Sequence, residues 1–122
     1  MDDTVKRALQ RGHRIDITTT GRRTGDQRRI ELVFHNFDGR IYISGLPGRR
    51  AWYANLRKEP RFTFHLKVGA RADLPARARA ITDPTERRRV FERIATVWRN
   101  VDLETMIASS PLVEVEFEQI AA

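Results

Sequence analysis

Short runs in which polar and apolar residues alternate one for one, each cut off by turn residues, constrain this chain more than any other feature. Arg14-Ile15-Asp16-Ile17-Thr18-Thr19 and Arg29-Ile30-Glu31-Leu32-Val33-Phe34 set their apolar side chains on one face of an extended strand. Between them, Gly21-Arg22-Arg23-Thr24-Gly25-Asp26 has turn chemistry, so the pair reads as a hairpin with a basic tip. Asn36-Phe37-Asp38-Gly39 signals the next turn, and Arg40-Ile41-Tyr42-Ile43-Ser44 a third antiparallel strand. Arg61-Phe62-Thr63-Phe64-His65-Leu66 alternates again, with Phe62, Phe64 and Leu66 on one face. His65 falls on the other face, where a solvent-facing or hydrogen-bonded histidine is expected rather than a ligand. Ala76 to Ile81 gives a fifth strand, and Leu112 to Phe117 a sixth.

Helical periodicity is confined to the gaps. Thr4 to Gln10 is a short helical start ended by Gly12. Gly45-Leu46-Pro47-Gly48 breaks the third strand, and Arg50 to Lys58 then reads as a helix with Trp52 and Leu56 inward, closed before Pro60. Asp83 as N-cap, Pro84 at the first helical position and Glu86 placed to complete a capping box start a helix predicted to run to about Trp98. Val90, Phe91, Ile94, Val97 and Trp98 form its apolar stripe, while Arg87, Arg88, Arg89 and Arg93 line the rest. A further short helix is expected near Leu103 to Ala108. The elements add up to a mainly β, α+β fold: one small antiparallel β-barrel over residues 1–122, closed or partly split, with covering helices. No βαβ alternation, G-x-G-x-x-G or Walker pattern occurs, so Rossmann and P-loop readings fail.

Composition narrows the chemistry. With no cysteine there is no thiolate nucleophile, disulfide or zinc–cysteine site, and histidines at 13, 35 and 65 lack ligand spacing, so no metal is expected. No stretch approaches the roughly 20 apolar residues of a membrane span, and the N-terminal residues lack a secretory apolar run, which predicts a cytoplasmic protein. A net charge of +7, from 23 Lys+Arg against 16 Asp+Glu, points to an anionic partner. The tip Thr20 to Gly25, with Arg28 beyond it, is one candidate anion cradle. Gly48-Arg49-Arg50-Ala51-Trp52, a glycine turn and two arginines ahead of a helix, is another. Two such sites imply a ligand with a phosphate or several carboxylates, and Ile30, Leu32 and Ile43 offer an apolar wall to a planar ring.

At these residues the chain resembles a known family. Ile17-Thr18-Thr19-Thr20-Gly21-Arg22-Arg23-Thr24-Gly25 with Arg28, then Ala51-Trp52-Tyr53-Ala54-Asn55-Leu56 with Pro60, then Ala78-Arg79-Ala80 running into Thr82-Asp83-Pro84-Thr85-Glu86-Arg87, are similar in order and spacing to the deazaflavin-dependent nitroreductases. The resemblance implies a split β-barrel of the FMN-binding type that binds coenzyme F420, a deazaflavin bearing a phosphate and a polyglutamate tail, and uses its reduced form as hydride donor. It assigns Arg22, Arg23, Thr24 and Arg28 to the phosphate and tail. Ile30, Leu32, Val33, Ile43, Ser44 and Gly45 would border the ring, and Ala51, Trp52 and Asn55 the N-terminal side of the helix. Arg49 and Arg50 would be this chain's own additions. Glu31 stands where a proline is common, the Gly45 to Arg50 loop is short, and Arg99 to Pro111 lacks the tyrosines that cover the substrate in quinone- and nitroimidazole-reducing relatives.

The expected function is therefore hydride transfer from reduced F420 to an electrophilic small molecule such as a quinone, enone or nitro compound. Tyr42, Tyr53 and Ser44 are possible proton sources, but none is singled out as catalytic. Three alternatives accompany this reading: an FMN-binding split-barrel flavoprotein, a cofactor carrier without turnover, and a basic nucleic-acid module stacking bases on Phe62 or Trp98. The last is disfavoured because those aromatics fall on core faces. Exposed strand edges would also allow a homodimer.

Overall fold

The inner face of the first hairpin sets the architecture. In the computed structural model, which describes residues 2–118, β1 (Arg14–Thr20) pairs antiparallel with β2 (Gln27–Phe37). Ile15, Ile17 and Thr19 stand opposite Leu32, Ile30 and Arg28. Residues directly opposite share a face, so these six make one inward row that starts apolar and turns polar toward the hairpin tip. The sheet continues through β3 (Arg40–Ser44), β6 (Leu112–Phe117), β5 (Ala72–Ala80) and β4 (Arg61–Leu66). All pairings are antiparallel, and β4 returns to β1, which closes a barrel in the order β1-β2-β3-β6-β5-β4. Closure leaves these strands without a free edge, which removes the argument from exposed edges for a homodimer.

Two cores result. Ile15, Ile17, Phe34, Ile43, Phe64 and Val113 fill the barrel, with Phe34 and Phe117 each edge-on to Phe64 at a centroid distance of 5.2 Å. The second core lies outside the barrel, where Val90, Phe91 and Ile94 of α3 (Pro84–Ile94) and Met106 of α4 (Leu103–Ser109) pack on Tyr42, Ile81 and Leu112. At the other side α1 (Asp3–Arg11) buries Val5, Ala8 and Leu9 against the barrel. Its first turn is capped by Asp2, whose carboxylate accepts from the Thr4 N–H at 2.6 Å. Trp52 and Leu56 of α2 (Ala51–Lys58) are buried, as their spacing predicts.

Four expectations need correction. The fifth strand begins at Ala72 rather than Ala76: Pro75 is accommodated opposite Thr63, with its carbonyl accepting from Glu118. Ile81 lies just beyond that strand, although its N–H still donates to Leu112. The third helix stops at Ile94, not Trp98, because Thr96 and Val97 switch to tighter i−3 hydrogen bonds. Val97 is consequently exposed, while Trp98 folds back edge-on to His35 at 4.9 Å. Asp83 caps that helix through the Glu86 N–H at 2.9 Å, but the Glu86 carboxylate does not complete a capping box: it takes both Nη1 and Nη2 of Arg79. Arg87, placed by periodicity on the polar side, is instead buried. On the outer barrel wall His65 is the satisfied strand histidine, with Nε2 2.7 Å from Thr18 Oγ1 and Nδ1 2.7 Å from Asp73.

Candidate functional site

Where the inward row of the first hairpin leaves the barrel, a cavity of about 430 Å³ opens between the hairpin and α2. Arg28 and Ile30 reach it because they share strand parity with Leu32 and Phe34 but stand beyond the last packed layer. Thr19 forms its floor, and Gly21, Arg22, Arg23 and Thr24 its outer wall. Ala51, Trp52 and Asn55 supply the opposite wall from α2.

The hairpin tip is fastened to α2 through one buried side chain. Asn55 Oδ1 accepts from the Arg22 backbone N–H at 3.1 Å and from Arg22 Nη1 at 2.9 Å, and Asn55 Nδ2 donates to Thr19 Oγ1 at 3.3 Å. Lys58, one turn on, donates to the Arg22 carbonyl at 2.8 Å. The tip itself is closed by Gly21 N–H to Asp26 O at 2.7 Å and Gly25 N–H to Gly21 O at 2.9 Å. Gly25 takes φ +78°, a conformation that a β-carbon disfavours. Asn55 thereby spends its amide on positioning Arg22, leaving Arg23 and Arg28 exposed and free to meet a ligand.

Of the residues assigned from the sequence, the cavity gathers Arg22, Arg23, Thr24, Arg28, Ile30, Ala51, Trp52 and Asn55. Gly21 of the predicted tip cradle joins them, as do Thr19 and Arg29, which had not been assigned. The strand period would have found Thr19, which follows Ile15 and Ile17 inward. The remaining assignments lie elsewhere. Ile43 is enclosed in the barrel core and Leu32 packs against it. Val33 faces outward, in a groove with His35 and Trp98. Ser44 is buried and donates to the Pro111 carbonyl at 2.7 Å, and Gly45 lies against the Pro111 ring. Arg50 curls back onto the carbonyls of Arg49 and Leu46, and Arg49 lines a different cavity. Tyr42 is in the second core, which leaves half-buried Tyr53 as the least enclosed of the three hydroxyls considered as proton sources.

Fold and site together define a split-barrel protein with an arginine-lined cavity at the barrel mouth. The barrel is similar to that of a proposed pyridoxamine 5′-phosphate oxidase from Listeria innocua, at 14% identity and TM-score 0.70 over 96% of this chain and 93% of that one. It also resembles a proposed 5-nitroimidazole antibiotic resistance protein from Bacteroides thetaiotaomicron (10% identity, TM-score 0.73, 98% and 81% covered). The heme-storage protein HutZ of Vibrio cholerae is likewise similar (13% identity, TM-score 0.73, 98% and 91% covered). These likenesses show the fold. Comparison with curated proteins by sequence gave no match. The family model for F420H2-dependent quinone reductases matches residues 1–116, and the chain belongs to that family. It is therefore an F420-dependent oxidoreductase, as the hairpin and helix motifs imply.

The cavity's donor set fits the coenzyme. Arg22, Arg23 and Arg28 line it with two threonine hydroxyls, Arg29 at its edge being engaged by Asp16 at 3.0 Å, and no carboxylate is among its lining residues. Such a set suits a phosphate and a chain of glutamates. Trp52 and Ile30 add apolar surface, and the volume lies within the range of about 300–1,000 Å³ usual for small-molecule sites.

Proposed function

We propose that this cavity holds reduced coenzyme F420 for hydride transfer to a small electrophile such as a quinone, enone or nitro compound. The observation that carries the reading is the convergence of Arg22, Arg23 and Arg28 with Trp52 and Asn55 in one carboxylate-free cavity. When bound, the coenzyme supplies a hydride, and the electrophile is reduced by two electrons as it takes a further proton from solvent.

The chain's own part is placement. Arg23 and Arg28 neutralise the phosphate and glutamate tail, and Thr24 donates a hydroxyl hydrogen bond. Arg22 is pre-oriented by Asn55, so less side-chain freedom is lost when an anion arrives. Ile30, with the small part of Trp52 left exposed, offers apolar surface that restricts water at the ring. Holding a reacting carbon in register in this way is a contribution that a protein without an acid–base residue in the cavity can make.

Titration of the purified protein with oxidised F420, followed by the coenzyme's fluorescence, tests the assignment. A saturable change is expected, and an unchanged signal at high protein concentration rejects it.

A further inference from the structure

Arg87 carries a charge into the interior without a carboxylate beside it. Its guanidinium donates to the carbonyls of Ile81, Met106, Ile107 and Ser110, at 2.6–3.3 Å. Neutral carbonyls satisfy the donors but do not cancel the charge, and burial lowers the affinity of Arg87 for its proton.

Arg87 forms one wall of a second cavity, of about 500 Å³, with Arg49, Tyr53, Arg57 and Ser110. No carboxylate lines it. Arg57 lies over the Tyr53 ring at 5.7 Å, and neither it nor Arg49 has an ion-pair partner among the described residues. Ser110 is 4% exposed, and its Oγ has no hydrogen-bond partner. A buried cation held by four carbonyls and the Phe91 ring, 5.2 Å away, but by no carboxylate, two guanidiniums without ion-pair partners and an unspent hydroxyl thus surround one space. Tyr53 and Arg57 are four residues apart on one face of α2, whereas Trp52 and Asn55 face the first cavity, so the helix stands between the two.

We propose that this second cavity is an anion site in its own right, taking a small molecule that carries a carboxylate, sulfonate or phosphate beside a flat ring. The anion offsets the charge of Arg87, Arg49 and Arg57 grip it from the rim, and the ring lies against Tyr53.

Calorimetry with 1,4-naphthoquinone-2-sulfonate and with neutral 1,4-naphthoquinone tests this, on the protein alone and saturated with oxidised F420. The sulfonate should bind about tenfold tighter than the neutral quinone in both states, as expected of charge-assisted contacts. The exposed substitutions Arg49→Gln and Arg57→Gln should each weaken sulfonate binding about tenfold with circular dichroism unchanged, while Arg28→Gln leaves it intact. Equal affinity for the two quinones, displacement of the sulfonate by F420, or wild-type affinity in both rim variants overturns the proposal. The fluorescence titration reads the first cavity separately, so a chain that takes the sulfonate but not F420 upholds this site and removes the cofactor assignment.

Discussion

Asn55 concentrates much of the site's organisation in one amide. It is 4% exposed and holds Arg22 and Thr19 in place, so Asn55→Ala should lower stability by about 1–3 kcal/mol in urea unfolding and loosen coenzyme binding as Arg22 loses its anchor. Arg23→Ala and Arg28→Ala, on the exposed side, should each weaken F420 binding by about 1.5–3 kcal/mol while leaving the unfolding midpoint unchanged. Wild-type affinity by fluorescence titration would reject their assignment. His35 sets a pH limit. It is buried between Phe37 and Trp98 with Nε2 unpartnered, and burial pushes its pKa down to about 4. The unfolded chain therefore binds the proton that the native fold refuses, and stability should fall as pH drops from about 6.5 toward 4, by roughly 3 kcal/mol in all. Denaturant midpoints across that window should lose this slope in His35→Phe. Single residues were legible where one physical rule governs them: strand parity sends Arg28 and Ile30 to the barrel mouth. Arg87 was not legible, because helical periodicity treats every arginine as solvent-facing and cannot see four carbonyls converging from a neighbouring helix and loop.

At the level of elements, α3 is fixed at both ends of its first turns. Asp83 caps it, and Asp83→Ala should cost about 1 kcal/mol, seen as a lower melting temperature. Arg87 ties it to α4 and to the loop before β6, so Arg87→Met, which strands several carbonyls, should cost about 3 kcal/mol or more in guanidinium denaturation. A cost below 1 kcal/mol would show that water replaces the guanidinium freely. Elements with regular alternation and explicit turn residues, such as β1, β3 and β4, were readable as they stand, whereas β2 extends beyond its Arg29–Phe34 reading to Gln27–Phe37 because Asn36 and Phe37 still pair with β3. The start of β5 was hidden by Pro75, which local rules count against a strand but which the pairing with β4 tolerates. The end of α3 was hidden because Val97 continues the apolar period past the point where the backbone tightens. In the Gly45 to Arg50 loop, no local periodicity reveals that Arg50 spends its guanidinium on the loop's own carbonyls.

For the molecule as a whole, the charge of +7 sets up a positive field that attracts an anionic cofactor. Stopped-flow association with F420 should therefore slow by about tenfold as salt rises from near 10 mM to near 500 mM, with a smaller change in dissociation. The barrel class followed from counting antiparallel strands, but its closure did not, since that depends on β6 entering between β3 and β5. The same insertion bears on how the chain is made. The β3 and β5 edges that face each other across the gap have their barrel partners only in residues 112–117, so closure requires that strand to have been synthesised. Without that strand the remaining five can form only an unsealed sheet, and β6 is the zip that turns it into a vessel.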